Sequence, residues 1–147
     1  MKNILVAIDN LENVAKISPV VRLTVELASA FSSRVKLLHV APHSRGVPFN
    51  VDKKILRHEI AHELHEEHGL LQKLAQQLRD QGVDAIPLLV EGATVKTILY
   101  ESDRLDVDLI ILGCHKHSEM YGALMDGTEE GVLGRCSHPV LFVPLLE

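Results

Sequence analysis

The segment His58–His68 reads HEIAHELHEEH and carries four histidines and four glutamates. His58, Glu59 and His62 spell H-E-x-x-H, in which two histidines one helical turn apart hold zinc and the glutamate serves as general base. His68 follows His62 by six residues, where one protease branch places its third ligand. The chemistry on offer is metal-assisted hydrolysis. The surrounding pattern argues against it. Leu56, Ile60, Leu64, Leu71, Leu74, Ala75 and Leu78 fall on one helical face, which puts His58, His62 and His65 on the opposite, solvated face. The same apolar phase runs through Gly69, so one long straight helix is expected. The protease branch has a chain-reversing glycine where this sequence has His65. On a straight helix His58 and His68 lie ~15 Å apart along the axis, and zinc–nitrogen bonds of ~2 Å do not span that. A solvated, titratable face is the expectation. An adventitious or intersubunit metal site at His58, His62 and His65 is the alternative.

A second cluster, Cys114, His115 and His117, stands in C-H-x-H spacing. Adjacent side chains diverge and no fourth ligand is evident, so it makes a poor metal site. Placed in a loop ahead of a helix N-terminus, beside basic neighbours, Cys114 could have a lowered pKa. His39 lies inside an apolar run and is expected to be a satisfied core or rim histidine. No nucleophile–base–orienter set can be assembled.

The elements that must position these residues follow from the apolar runs. NILVAID (3–9), VKLLHVA (35–41), AIPLLVEG (85–92), LIILG (109–113) and PVLFVP (139–144) read as five strands. They are nearly continuous apolar runs, as in a parallel sheet covered on both faces. Helical patterns near 18–31, 51–81, 94–104 and 127–136 separate them. This alternation predicts one domain, 1–147, built as an α/β, doubly wound, mostly parallel five-stranded sheet with helices on both faces. Ligands of such sheets bind beyond the strands' carboxyl ends, where strand order reverses, which draws attention to Asp9, Val40 and the loop after Gly113. A net charge of −5 and the absence of Trp argue against a nucleic-acid partner. No apolar run approaches ~18 residues and MKNILVAID reads as a strand, so no membrane span and a cytosolic location are expected. Two cysteines make no disulfide framework.

The runs ILVAIDN (4–10), VKLLHVAP (35–42) and DLIILGCHKHSEMYGALMDGTEEGVLGRCSHPVLFVP (108–144) resemble the universal stress protein family over essentially the whole chain. The resemblance implies a Rossmann-like sheet of the adenine-nucleotide alpha-hydrolase type, a cytoplasmic homodimer and, in many members, bound ATP or another adenine nucleotide. It assigns Asp9 and Val40 to adenine and ribose. It makes Gly113 the first glycine of a phosphate-binding fingerprint and gives His115 and His117 family counterparts. It places the last strand, 139–144, at a sheet edge, where its apolar composition invites self-association. An unidentified protein partner is also expected. The chain departs from the fingerprint at its second and third glycines. With Pro139 held in register, Lys116 and Asp126 stand there, and Gly127 replaces the following Ser or Thr. A one-residue shift would restore Gly127–Thr128 at the cost of an insertion. Lys116 could meet a phosphate as a point charge. Asp126 could not, because D-G-T-E (126–129) reads as a capping box whose carboxylate satisfies the helix N-terminus. The expected function is therefore a non-enzymatic stress-response or regulatory protein with a degenerate pocket, where ATP or AMP binds weakly or not at all. The alternatives are a nucleotide sensor or slow ATPase using Lys116, and a metal-binding protein using the histidine face.

Overall fold

The five apolar runs all form strands in the computed structural model, which describes residues 1–12, 14–41, 53–115, 118, 120–122 and 132–145. The order is β1 (Asn3–Ile8), α1 (Val14–Phe31), β2 (Arg34–Ala41), α2 (Lys53–Asp80), β3 (Asp84–Glu91), α3 (Thr94–Arg104), β4 (Leu109–His115), α4 (Val132–Arg135) and β5 (Val140–Leu145). The strands lie in the order β3-β2-β1-β4-β5, and each neighbouring pair is parallel. Strand β1 is central, with Val6 facing Leu37 on one side and Ile111 on the other.

The continuous apolar runs are explained by two cores. Ile4, Val6 and Ile8 pack with Ile17 and Val20 of α1 and Leu71, Leu74 and Leu78 of α2. The alternate residues Leu5 and Ala7 pack with Ile98 of α3 and with Met120 on the other face. Period-2 alternation sends successive side chains to opposite faces, and both are covered, so no polar face is left along β1. Complete burial of each Leu or Ile stabilises the fold by about 1.5–3 kcal/mol.

Helix α1 starts at Val14 rather than near residue 18, and Pro19 lies inside it. Proline's fixed φ is helical, so the ring is tolerated in the second turn at the loss of one backbone hydrogen bond. Strand β4 runs to His115, two residues beyond the expected end. The helix expected at 127–136 is described only over α4, and Pro139 precedes β5.

Three helices end in the same way. The N–H of Val83 bonds the Leu78 carbonyl at 3.0 Å and that of Gly82 bonds the Arg79 carbonyl at 2.9 Å, with Gly82 at φ 86°. Val107 and Asp106 repeat this pattern with Ser102 and Asp103, Asp106 standing at φ 47°. Ser33 bonds Ala28 at 2.9 Å, with Ser32 at φ 52°. Each left-handed residue satisfies open carbonyls and turns the chain directly into the next strand. Among the described residues no helix is long and apolar enough to cross a membrane.

Candidate functional site

Strands β1 and β4 are neighbours, but β1 connects through α1 to β2 on one side while β4 leads to β5 on the other. The crevice at their carboxyl ends is the switch point of the sheet. Asp9 is the first residue past β1, and its Oδ2 accepts the His115 backbone N–H at 2.9 Å. Its Oδ1 lies 3.0 Å from His115 Nδ1. A carboxylate only accepts, so Nδ1–H donates and the ring tautomer is fixed. Both carboxylate oxygens thus clamp the end of β1 to the end of β4. Asp9 is thus brought to His115 at the end of β4, while residues 116 and 117 of the expected loop lie outside the described residues.

Asp9 and Val40 also line a common cavity of about 290 Å³ with Asn10, Leu11, Glu12, His39, Glu67 and Leu70. It is framed by the carboxyl ends of β1 and β2 and by the middle of α2. Asn10 shapes its rim, with Oδ1 accepting the Glu12 N–H at 2.8 Å. His39 is buried, with Nδ1 2.9 Å from the Ile8 carbonyl oxygen and Nε2 3.7 Å from Glu67 Oε2. It is a rim histidine, as expected, but its opening towards this cavity was not foreseen. A polar residue inside the otherwise apolar, buried second half of β2 was the available signal. A larger cavity, about 470 Å³, is lined by α1 and the C-terminal end of α2 and lies away from these strand ends.

Gly113 lies within β4, paired with Ile8. A Cβ there would sit 2.6 Å from Val20 Cγ2, so the missing side chain admits α1 against β4. Lys116, Asp126, Gly127 and Thr128, with His117 and the capping box, lie outside the described residues.

The expectation for Cys114 is corrected. The extension of β4 places it in a buried strand position, not in a loop. Burial, aided by the nearby Asp9 carboxylate, pushes its thiol up from 9.0 to about 12. Negative charge is disfavoured there, so the group is a packed thiol rather than a nucleophile.

Helix α2 runs unbroken from Lys53 to Asp80. His58, His62, His65 and His68 are exposed, and His62 Nε2 lies 3.1 Å from Glu66 Oε1. The apolar stripe reaches the core only in the second half, where Leu71, Leu74, Ala75 and Leu78 are buried; Ile60 and Leu64 are half-buried. Among the described residues no three His, Cys, Asp or Glu side chains converge to hold a metal ion.

The five-stranded, all-parallel sheet with its helices is an α/β, Rossmann-like fold. The family model of the universal stress proteins matches residues 1–144, and the chain belongs to that family. Its fold is similar to that of a universal stress protein family member from Burkholderia pseudomallei (22% identity, 97% of this chain and 96% of that one, TM-score 0.68). Universal stress protein UspA from Lactobacillus plantarum is similar at 18% identity, covering 97% of each chain, with a TM-score of 0.70. The universal stress protein from Archaeoglobus fulgidus in complex with dAMP is similar at 17% identity, covering 97% of each chain, with a TM-score of 0.63. No curated protein sequence matches the chain.

Proposed function

We propose that this chain is a non-enzymatic, cytoplasmic regulatory member of its family, a homodimer that binds a protein partner and holds an adenine nucleotide weakly by its base and ribose end. The observation that carries the reading is the cavity shared by Asp9 and Val40, whose lining among the described residues contains carboxylates and a histidine but no Lys or Arg. Such a lining suits an uncharged, donor-bearing ligand end and disfavours phosphate. The dAMP complex of the Archaeoglobus fulgidus relative supports the choice of ligand class. In the sequence, D-G-T-E (126–129) reads as a capping box where the family fingerprint has a glycine, so an acidic group is expected where a phosphate would bind.

Calorimetric titration with ATP, AMP and magnesium tests this. ATP is expected to bind no more tightly than AMP. Asp126→Gly combined with Gly127→Ser is expected to raise ATP affinity roughly five- to 150-fold, since one unfavourable charge near a phosphate weakens binding by ~1–3 kcal/mol. Tight ATP binding by the wild type that Lys116→Ala abolishes would overturn the reading in favour of a nucleotide sensor.

A further inference from the structure

We infer that the N-terminus of α3, where β3 hands the chain over to the helix, is an anion site that takes the phosphate group of a small ligand. It lies outside the Asp9–Val40 cavity and does not rest on the nucleotide reading. Helix α3 is 11 residues long and is preceded by Ala93, whose extended backbone (φ −77°, ψ 130°) suits a cap but whose side chain makes no cap bond. The Thr97 N–H bonds the Ala93 carbonyl at 2.9 Å. Among the described residues the N–H groups of Thr94, Val95 and Lys96, ahead of it, have no acceptor. The first turn carries no acidic residue; it carries Lys96, exposed and of the wrong sign for the positive end of a helix dipole. A bound anion answers both the open donors and the misplaced cation. Thr97 points to a ligand independently. It is 9% exposed, and among the described residues its hydroxyl has no hydrogen-bond partner. Unlike the Thr24 hydroxyl, it is not sealed from solvent. A Cβ at Gly92 would sit 2.6 Å from Thr97 Oγ1, so the hydroxyl reaches back past the N-cap into space that a side chain would fill. Helical side chains lean towards the N-terminus, which brings this hydroxyl to the same end as the open N–H groups. The Gly92 N–H bonds the Ala41 carbonyl at 2.9 Å and fixes the mouth of the site against β2. Glu91, the nearest carboxylate in the chain, ends β3 and is engaged in an interaction of its own. Backbone N–H groups, a hydroxyl that can donate and an ammonium together match the oxygens of a phosphate group.

Amide NMR of the full chain, titrated with inorganic phosphate and, separately, with sodium chloride at matched ionic strength, reads the site directly. Phosphate, and not chloride, is expected to shift the amides of Thr94, Val95 and Lys96 saturably. Thr97→Val keeps the shape and deletes the hydroxyl, and should bind phosphate about tenfold or more weakly, as expected for a hydrogen bond to a charged group. Ala93→Asp puts a carboxylate in the cap position, so it should abolish the phosphate shifts while raising the melting temperature. Loss of binding in that variant is therefore not loss of folding. AMP and adenosine separate the sources of the phosphate group. Shifts of the same amides by AMP but not by adenosine assign the site to a nucleotide's phosphate; shifts by inorganic phosphate alone assign it to the free ion. If neither phosphate nor AMP shifts these amides saturably, the inference fails and the nucleotide reading of the Asp9–Val40 cavity is untouched. Ala93→Asp or folded Thr97→Val binding phosphate as tightly as wild type would also overturn it.

Discussion

At the scale of single residues, the same sequence neighbourhood holds groups with opposite fates. Cys114 and His115 are adjacent, but strand alternation buries the thiol in the α3-side core and leaves His115 bonded to Asp9 at the crevice. Iodoacetamide at pH 8 should therefore alkylate the half-buried Cys136 ahead of Cys114, with both thiols reacting after denaturation; mass spectrometry of the digested protein reads this directly. Equal labelling of both in the native state would contradict the burial. The linkage sign is set by the raised thiol. Above about pH 9 the unfolded chain ionises Cys114 first, so this group lowers stability progressively until its folded pKa near 12 is reached. Thr24 is a different case: its hydroxyl is buried in α1 without a hydrogen-bond partner. Thr24→Val keeps the shape and removes the unpaired group, and should raise stability by about 1 kcal/mol in a denaturant titration.

Elements were the most legible level of the sequence, for a physical reason. A strand covered on both faces must be apolar throughout, so NILVAI and LIILG announced β1 and β4 by composition alone. The carboxyl end of β4 was misread because Cys114 and His115 look like loop chemistry until their neighbours in space are known. Of the candidate site, the placement of Asp9 and Val40 at neighbouring strand ends was legible from chain position, but the Asp9–His115 clamp, which joins residues 106 apart, was not. Within α2, Gly69 has helical neighbours and nothing within 4 Å of where a Cβ would stand. Gly69→Ala should stabilise by about 0.5–1 kcal/mol, measured by denaturant titration. Asp106, ending α3 with positive φ, should likewise gain up to about 1 kcal/mol on mutation to Gly, whereas Gly82→Ala at φ 86° should lose a similar amount. Asp108 ties the starts of β1 and β4 together, accepting the N–H groups of Asn3 and Lys2, which hold its carboxyl below the usual range. A depressed carboxylate pKa stabilises above the unfolded value and is lost as pH falls through the folded one. Asp108→Asn should therefore be less stable than wild type at pH 7, the two converging in strong acid.

At the scale of the whole molecule, the sheet ends on one side at β5, and the geometry of that edge bears on how a homodimer would form. The Pro139 carbonyl accepts the Ile110 N–H at 2.9 Å, and Ile110 is in register with Val140. Successive residues alternate the direction of their backbone groups, so Leu141, Val143 and Leu145 bond towards β4 while Val140, Phe142 and Pro144 present theirs outward. Pro144 therefore costs the β4 ladder nothing; its missing N–H blunts the outer edge at that point. What remains open for pairing with a second copy is the backbone of Val140 and Phe142, so an antiparallel dimer should centre near Leu141 and not extend far past Pro144. Light scattering at micromolar concentration should give twice the mass of 16.3 kDa. Val140→Lys and Phe142→Lys should shift the protein towards monomer; the latter also disturbs the ring contact with Tyr121, so melting must be followed alongside mass. Val140→Pro is the sharper variant, because it deletes an outward N–H and leaves the inward ladder intact. A folded Val140→Pro protein that remained fully dimeric would exclude this edge as the interface, as would a wild type that scattered as a monomer.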